Sequence, residues 1–405
     1  MLMALCFVSH LNRVSISVAA NERLMPHFGI SPERMGVVYS AFLLIYTLAM
    51  LPGGLFIDRV GALRALTLMG VSSALFGALT GAPGWGLVGA GWVWGYLLVV
   101  RSLMGLCTTP LHPGCARLVG NWTDPSRHNR ANGLVTGAAL LGIACTYPLF
   151  GTLIDWFDWP GAFVLVAGGT GLVAVLLWWL GADHPPNGGT GTASSLTRED
   201  PSPGKWIQLL RNRSLLCLTL SYGAVGYFQY LFFYWIQYYF DQVLHLGTKE
   251  SRLFASIPTL AMALTMPLGG WLADLARQRM AGRAGRALVP AGGMAASAVL
   301  LSMGVFASEP FWIVLWFTLS LAALGASEGS FWATAVEIGR AQGGTAAAII
   351  NTGGNGVGLL APMITPLVSE ALGWHWGLAL GSLVALLGAL CWRWIDPPPA
   401  ITPSS

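Results

Sequence analysis

The chain has 405 residues, of which 55% are hydrophobic and only 9% charged, and its formal net charge is +4. Soluble domains carry about 25% charged residues, so an ordinary soluble fold is excluded, and so small a charge gives no footing for a nucleic acid. Backbone in lipid must satisfy its own hydrogen bonds, so apolar runs of about 20 residues read as membrane-spanning helices.

Twelve such runs follow one another, near 1–20, 35–57, 62–82, 89–115, 131–154, 160–180, 214–238, 252–275, 287–307, 311–335, 343–367 and 374–395. The first is unusual, with no basic lead-in and only nine apolar-leaning residues before His10, Asn12 and Arg13. Val18-Ala19-Ala20 resembles the small-residue exit of a cleaved signal peptide, but such a segment starts positive and has an uninterrupted apolar centre. The reading is therefore a span that begins at the terminus, or a natural start that lies upstream.

Span 2 ends in Gly54-Leu-Phe-Ile-Asp58-Arg59-Val-Gly61-Ala-Leu-Arg64, and 216 positions on comes Gly270-Trp-Leu-Ala-Asp274, followed by Arg277, Arg279, Arg283 and Arg286. Self-similarity at half the chain length marks a doubled membrane unit, the construction of many secondary transporters. Between spans 6 and 7 the chain turns rich in Pro, Gly, Ser and Thr, which reads as a flexible linker. The expected organisation is a six-helix bundle over 1–181, a cytoplasmic linker over 182–213, a second six-helix bundle over 214–396 and a tail over 397–405. The fold class is thus an all-α membrane protein of twelve transmembrane helices in two pseudo-symmetric bundles.

Of the 21 Lys and Arg residues, fifteen fall on one side of this layout, among them Arg59, Arg64, Arg117, Arg127, Arg198, Lys205 and Arg340. Arg23, Arg34, Lys249 and Arg252 fall on the other, which makes the first side, and both termini, cytoplasmic. The sequon Asn121-Trp122-Thr123 then lies on a side where it is idle. The six cysteines lack metal-ligand spacing and read as small packing residues; neither a metal nor a cofactor is expected.

The remaining two basic residues, Arg13 and Arg101, lie inside spans 1 and 4. An arginine at the bilayer centre costs about 2.5–3.5 kcal/mol on insertion scales, so both should face a shared wet cavity. The one acid placed deep in a span is Glu328, leaving an interior excess of positive charge that an anionic substrate could complete, and the guanidinium fork suits a carboxylate. The competing reading is that either arginine is a strut bonded to helix carbonyls. Tyr227, Tyr230, Tyr234 and Gln237 share one face of span 7 and are candidates to read the rest of a hydroxylated anion. Asn351, Asn355 and Trp332 are ligand candidates as well, though helix packing explains them equally.

The Gly54–Arg64 loop, its weaker echo and the six-plus-six layout resemble the major facilitator superfamily. Asn12-Arg13-Val14 with Ser17, Arg101-Ser-Leu-Met-Gly105 followed by Pro113, Arg117 and Trp122, Arg127 with Arg130-Ala-Asn-Gly133, and Asn351-Thr-Gly-Gly-Asn355 followed by Pro362 are similar to its anion:cation symporter family, whose members carry organic anions such as sugar acids. The resemblance implies a bacterial-type inner-membrane carrier working by alternating access, here expected to act as a monomer in the lipid bilayer. It also implies that Tyr46 contacts substrate and that Asp58, Arg59 and Arg64, with Gly54 and Gly61 and the second copy Gly270 and Asp274, form a cytoplasmic gate.

Two departures bear on mechanism. Proton-coupled relatives place an acid before the span-1 arginine and a glutamate seven residues after the span-4 arginine, where this chain has Asn12 and Thr108. A coupling proton would need another carrier, with Glu328, His10 and His112 as candidates. The alternatives are a carrier of a neutral or amphipathic molecule, a membrane-embedded enzyme and a transporter-like sensor. No nucleophile–base–acid set or phosphate loop stands out for an enzyme, nor a long soluble stretch for a sensor.

Overall fold

The computed structural model describes residues 1–123, 128–185, 209–280, 282–339 and 342–396. Arg127, Arg198, Lys205, Arg340, most of the 182–213 linker and the 397–405 tail lie outside the described residues, as does the side chain of Arg130. Among the described residues every regular element is helical. In chain order these are α1 (Leu2–Ala19), a π-turn (Ala20–Leu24), α2 (Met25–Phe28), α3 (Pro32–Val60), α4 (Ala62–Thr80), α5 (Val93–Thr108), α6 (Leu111–Trp122) and α7 (His128–Leu180). Then follow α8 (Arg213–Tyr238), a second π-turn (Tyr239–Val243), α9 (Thr248–Arg279), α10 (Gly282–Val305), α11 (Pro310–Gly339), α12 (Gly343–Gly358), α13 (Leu360–Leu372) and α14 (Trp374–Cys391).

Among the described residues eleven helical stretches are long and apolar enough to cross a membrane. One of them lies within the 53-residue α7, which at 1.5 Å per residue would measure about 80 Å, far more than the ~30 Å of hydrocarbon. It is two helices meeting at Asp158, whose φ of 56° and ψ of 167° are not helical. Spans 5 and 6 are therefore separate crossings, and the twelve expected crossings are all present.

Three boundaries differ from the sequence reading. The first crossing does not stop at residue 20, because a π-turn and α2 carry the helix past Asn21, Glu22 and Arg23 to Gly29. Span 4 is interrupted at Thr109-Pro110 and resumes as α6 as far as Trp122, since proline supplies no N–H to the helical ladder. Span 11 is divided at Leu359 into α12 and α13, shortly before Pro362.

Contacts group the chain into two compact units. The first holds Met1–Thr197 with Leu231–Leu260 and Pro362–Trp374; the second holds Arg198–Tyr230, Ala261–Ala361 and His375–Ser405. In the first unit α1 and α4 pack on α7, and α3 packs on α5; in the second α11 packs on α10 and α12. The first unit's core gathers Leu5, Met69, Leu118 and Ala174 among others. Leu48, Leu75 and Leu172 in the first unit, and Leu264 and Leu387 in the second, are exposed; so much exposed apolar surface suits lipid.

The doubling seen in sequence recurs in the packing. A Cβ on Gly105 of α5 would lie 2.4 Å from the Phe42 carbonyl oxygen of α3, and one on Gly325 of α11 would lie 2.6 Å from the Met262 carbonyl oxygen of α9. Small residues let helix backbones approach closely in lipid, and both units use the same device at equivalent places. Gly105→Val is accordingly expected to destabilise the first unit by about 1–3 kcal/mol, seen as a lower Tm of the detergent-solubilised protein. Gly325→Val should act likewise on the second.

Between α3 and α4 the chain turns at Gly61, whose φ of 88° suits a residue without Cβ. The Leu63 N–H donates to Asp183 Oδ1 at 2.8 Å, so a residue from the start of the linker satisfies the N-terminus of α4.

Candidate functional site

Spans 1, 2 and 4 bring the first cluster together. The Arg13 guanidinium of α1 stands 4.9 Å from the Phe42 ring and 5.1 Å from the Tyr46 ring, both on α3, within cation–π range. Arg13 and Tyr46 line a small cavity with Ser9, His10, Thr108, Leu111 and His112. Arg101 is 1% exposed; its Nη2 donates to the Arg13 carbonyl oxygen at 2.5 Å and its Nη1 contacts Met104 Sδ at 3.0 Å. Of the two intramembrane arginines, Arg13 contributes its side chain to the cavity wall and Arg101 makes the strut contact that ties α5 to α1.

The two histidines meet in that cavity. His10 Nδ1 donates to the Cys6 carbonyl oxygen at 2.9 Å, which fixes the tautomer of a neutral ring and leaves Nε2 as acceptor. His112 Nε2 lies 3.4 Å from it. Asn12, at the position of the missing acid, is fully buried against α4: its Nδ2 donates to Ser73 O at 3.0 Å and contacts Ser73 Oγ at 3.3 Å. Thr108 donates back to the Met104 carbonyl oxygen at 2.9 Å. Phe42, which the sequence reading missed, sits one turn before Tyr46, and that spacing was its signal.

The polar face expected on span 7 is distributed among different partners. Tyr234, in the first unit, stacks on Tyr39 with centroids 4.6 Å apart, and Gln237 donates to Glu22 Oε1 at 2.8 Å. Tyr227, in the second unit, is buried. Tyr230 donates its hydroxyl to Asn355 Oδ1 at 2.6 Å, while Asn355 Nδ2 donates to the Asn351 carbonyl oxygen at 2.9 Å. Asn355 is thereby committed to protein partners, and Asn351 stays half-buried one turn away.

The second unit's charged centre is Glu328 on α11, 7% exposed. It accepts from the Tyr222 hydroxyl at 2.5 Å and from Gln229 Nε2 at 3.2 Å, and Trp332 sets its ring edge-on to Tyr222 at 5.7 Å. Among the described residues Glu328 makes no ion pair, and Tyr222 and Gln229, which donate to it, are neutral groups. Tyr222 and Gln229 were not singled out from the sequence, although a spacing of seven puts both on one face of α8.

Of the residues expected at a gate, Asp58 pairs with Arg117 of α6 at 2.5 Å, and Arg59 and Arg64 are exposed. Gly54 faces open space, so a close approach there does not occur; its neighbour Gly53 is the one against which Thr109 packs. The second copy repeats this, with Gly270 open and Gly269 against Ala326. Arg277 pairs with Glu337, a partner missed from the sequence, and Arg286 lies 3.5 Å from the same carboxylate. Among the described residues Asp274 makes no ion pair.

Comparison with known proteins matches these features to one family. The family model of the Major Facilitator Superfamily matches residues 2–361. A probable galactarate/D-glucarate transporter of Bacillus subtilis is 26% identical over 92% of this chain and 85% of its own. The D-galactonate transporter of Escherichia coli is 25% identical over 95% and 91%, and a probable sulfoacetate transporter of Cupriavidus necator is 25% identical over 96% and 91%. Among solved structures, a bacterial homologue of the human lysosomal transporter Spinster superposes with a TM-score of 0.81 at 15% identity, over 98% of both chains. With its twelve apolar crossings, its doubled glycine-mediated packing and this match, the chain is an integral membrane protein and belongs to the Major Facilitator Superfamily.

Proposed function

We propose that this protein carries a small organic anion, with sugar acids and related carboxylates first, across a bacterial-type inner membrane by alternating access of two six-helix halves, 1–181 and 214–396. The observation that carries this reading is the placement of Arg13. A fixed guanidinium, backed by two aromatic rings and set in the wall of a cavity, is a receptor for a carboxylate, whose two oxygens match its fork. The relatives point the same way, since galactarate, galactonate and sulfoacetate are small acids. Tyr46, Asn351, Trp332 and the span-7 tyrosines are proposed to bound the path of the hydroxylated body. Arg101 supports Arg13 by holding its backbone. In this reading the protein is a carrier and not an enzyme, it acts as a monomer, both termini are cytoplasmic, and the Asp58–Arg117 pair belongs to the cytoplasmic gate.

Coupling to a proton is assigned here to Glu328. A buried carboxylate held only by neutral donors can accept a proton without breaking an ion pair, which suits a group that must change state once per cycle. The His10–His112 pair is the second candidate, because it shares the Arg13 cavity.

Uptake into proteoliposomes, with an imposed pH gradient and a panel of galactonate, glucarate, a hexuronate, sulfoacetate and a neutral hexose, tests the reading. Saturable uptake of at least one acid, competed by others and not by the hexose, is expected. Transport of the hexose alone would overturn it.

A further inference from the structure

At the end of the first unit opposite Asp58, two segments far from Arg252 in sequence, around Glu22 and Asp155, converge on its guanidinium. Arg252, near the start of α9, grips Glu22 with Nε to Oε1 at 2.8 Å and Nη2 to Oε2 at 2.6 Å. It grips Asp155 of α7 as well, with Nη1 to Oδ2 at 2.6 Å and Nη2 to Oδ1 at 2.9 Å. Two bidentate forks on one arginine use four of its five N–H groups. Gln237 completes the set through its bond to Glu22. The side chains of Arg252 and Glu22 are 6% and 1% exposed.

The surrounding backbone is shaped for this contact. A Cβ on Gly151, one turn before Asp155, would lie 2.3 Å from Arg252 Nε, so any larger residue would fill the groove in which the guanidinium lies. Glu22 sits in the π-turn Ala20–Leu24, and the second π-turn, Tyr239–Val243, recurs 219 positions later at the end of α8. The two face each other, with Asn21 Nδ2 donating to Asp241 Oδ2 at 3.0 Å. Such one-turn insertions are rare and gather at functional places. Glu22, Asn21 and Asp155 belong to the half before the linker; Arg252, Gln237 and Asp241 belong to the half after it. Residues 231–260 cluster with 1–197, and these bonds are among the contacts that join the two segments.

We propose that the Arg252–Glu22–Asp155 cluster, with the paired π-turns, is the latch of the extracytoplasmic gate, closed in this structure. The inference rests on the alternating-access part of the proposed function and not on the identity of the cargo. An ion cluster with two desolvated charges, Arg252 and Glu22, and a third, Asp155, that is 39% exposed is a poor source of stability, since its attraction is offset by the cost of removing the buried charges from water. It is a good switch for the same reason. Shut, the groups satisfy one another; open, water satisfies them, and the two states lie close in free energy. The bidentate geometry makes closure depend on register, so a partly closed mouth gains little.

Hydrogen–deuterium exchange of the full-length protein in nanodiscs, without substrate, reads the gate directly. In Arg252→Lys and in Glu22→Gln, amides of 20–28, 150–158 and 237–252 should exchange about tenfold faster than in the parent, while those of 54–64 and 117–122 become slower. That opposed response belongs to a two-state gate. Faster exchange at the latch with no slowing at the Asp58 end would mean that the cluster is only a local brace, and unchanged exchange in both variants would remove the latch altogether. Either outcome sinks the proposal and leaves anion transport untouched; a failed uptake assay with the opposed exchange intact would leave the latch standing. Gln237→Ala, which removes one neutral bond, provides a milder variant should the charge changes impair folding.

Discussion

Arg13→Ala is expected to lower kcat/KM for anion uptake by about 100-fold, which corresponds to about 3 kcal/mol of lost interaction with the bound carboxylate, in the range measured when one partner of a desolvated charge pair is removed. The magnitude follows from geometry. The Arg13 guanidinium is held over Phe42 and Tyr46, so its orientation is set before the anion arrives and little ordering remains to be done on binding. Arg13→Lys keeps the charge but loses the planar fork and its stacking on the rings, and about a tenfold loss is expected. Arg101→Lys should behave differently. Its hydrogen bond to the Arg13 carbonyl oxygen ties α5 to α1, so the lysine variant should lower Tm along with uptake. Initial uptake rates over a range of substrate concentrations, read with thermal melts of the same preparations, separate the two arginines. Undiminished uptake by Arg13→Ala would refute the assignment of the anion site to this cavity.

Glu328→Gln is the second large effect. The amide keeps one oxygen to accept from Tyr222, and Gln229 can turn its own carbonyl oxygen toward the new NH2, so the fold around α11 should persist, yet the side chain cannot carry a proton at physiological pH. Accumulation driven by a pH gradient should fall to the level set by the anion's own gradient, whereas counterflow, the exchange of labelled for unlabelled anion, should remain within about threefold of the parent. That split is the signature of a coupling group, because exchange does not require the proton to leave. Tyr222→Phe, which removes the donor 2.5 Å from the carboxylate, should shift the pH dependence of accumulation without abolishing it. If Glu328→Gln accumulates anion as the parent does, coupling passes to the His10–His112 pair, and His112→Gln becomes the decisive variant.

The architecture was largely legible in the chain. Long apolar runs and an echo at half length are one-dimensional signals, and lipid enforces them, because unsatisfied backbone in hydrocarbon leaves helices as the available solution. The errors in extent have the same origin. Asn21, Glu22 and Arg23 look like the end of a span in a hydropathy reading, but the helix continues because Asn21 finds Asp241 and Glu22 finds Arg252. Thr109-Pro110 lay inside an apolar run whose average concealed the interruption.

Side-chain assignments were legible in part. Arg13, Tyr46, His10 and His112 were singled out separately, and the structure gathers them around one cavity. The span-7 face was read as a single stripe, yet Tyr230 and Gln237 end on Asn355 and Glu22 respectively. A helix face can be read from spacing; what that face meets cannot.

What the sequence determined by itself was the membrane class, the twelve crossings, the doubling and the presence of two guanidinium groups in an apolar interior, because each depends on composition or on local period. Only the tertiary structure decided that Arg13 lines the cavity while Arg101 braces it, that Asn12 is taken up against α4, that Glu328 has neutral partners, and that Arg252 gathers Glu22 and Asp155. Each residue turns the helix by about 100°, so small changes in how neighbouring helices are rotated and shifted exchange one partner for another. Those settings come from the packing of segments up to 230 residues apart, which no local pattern encodes.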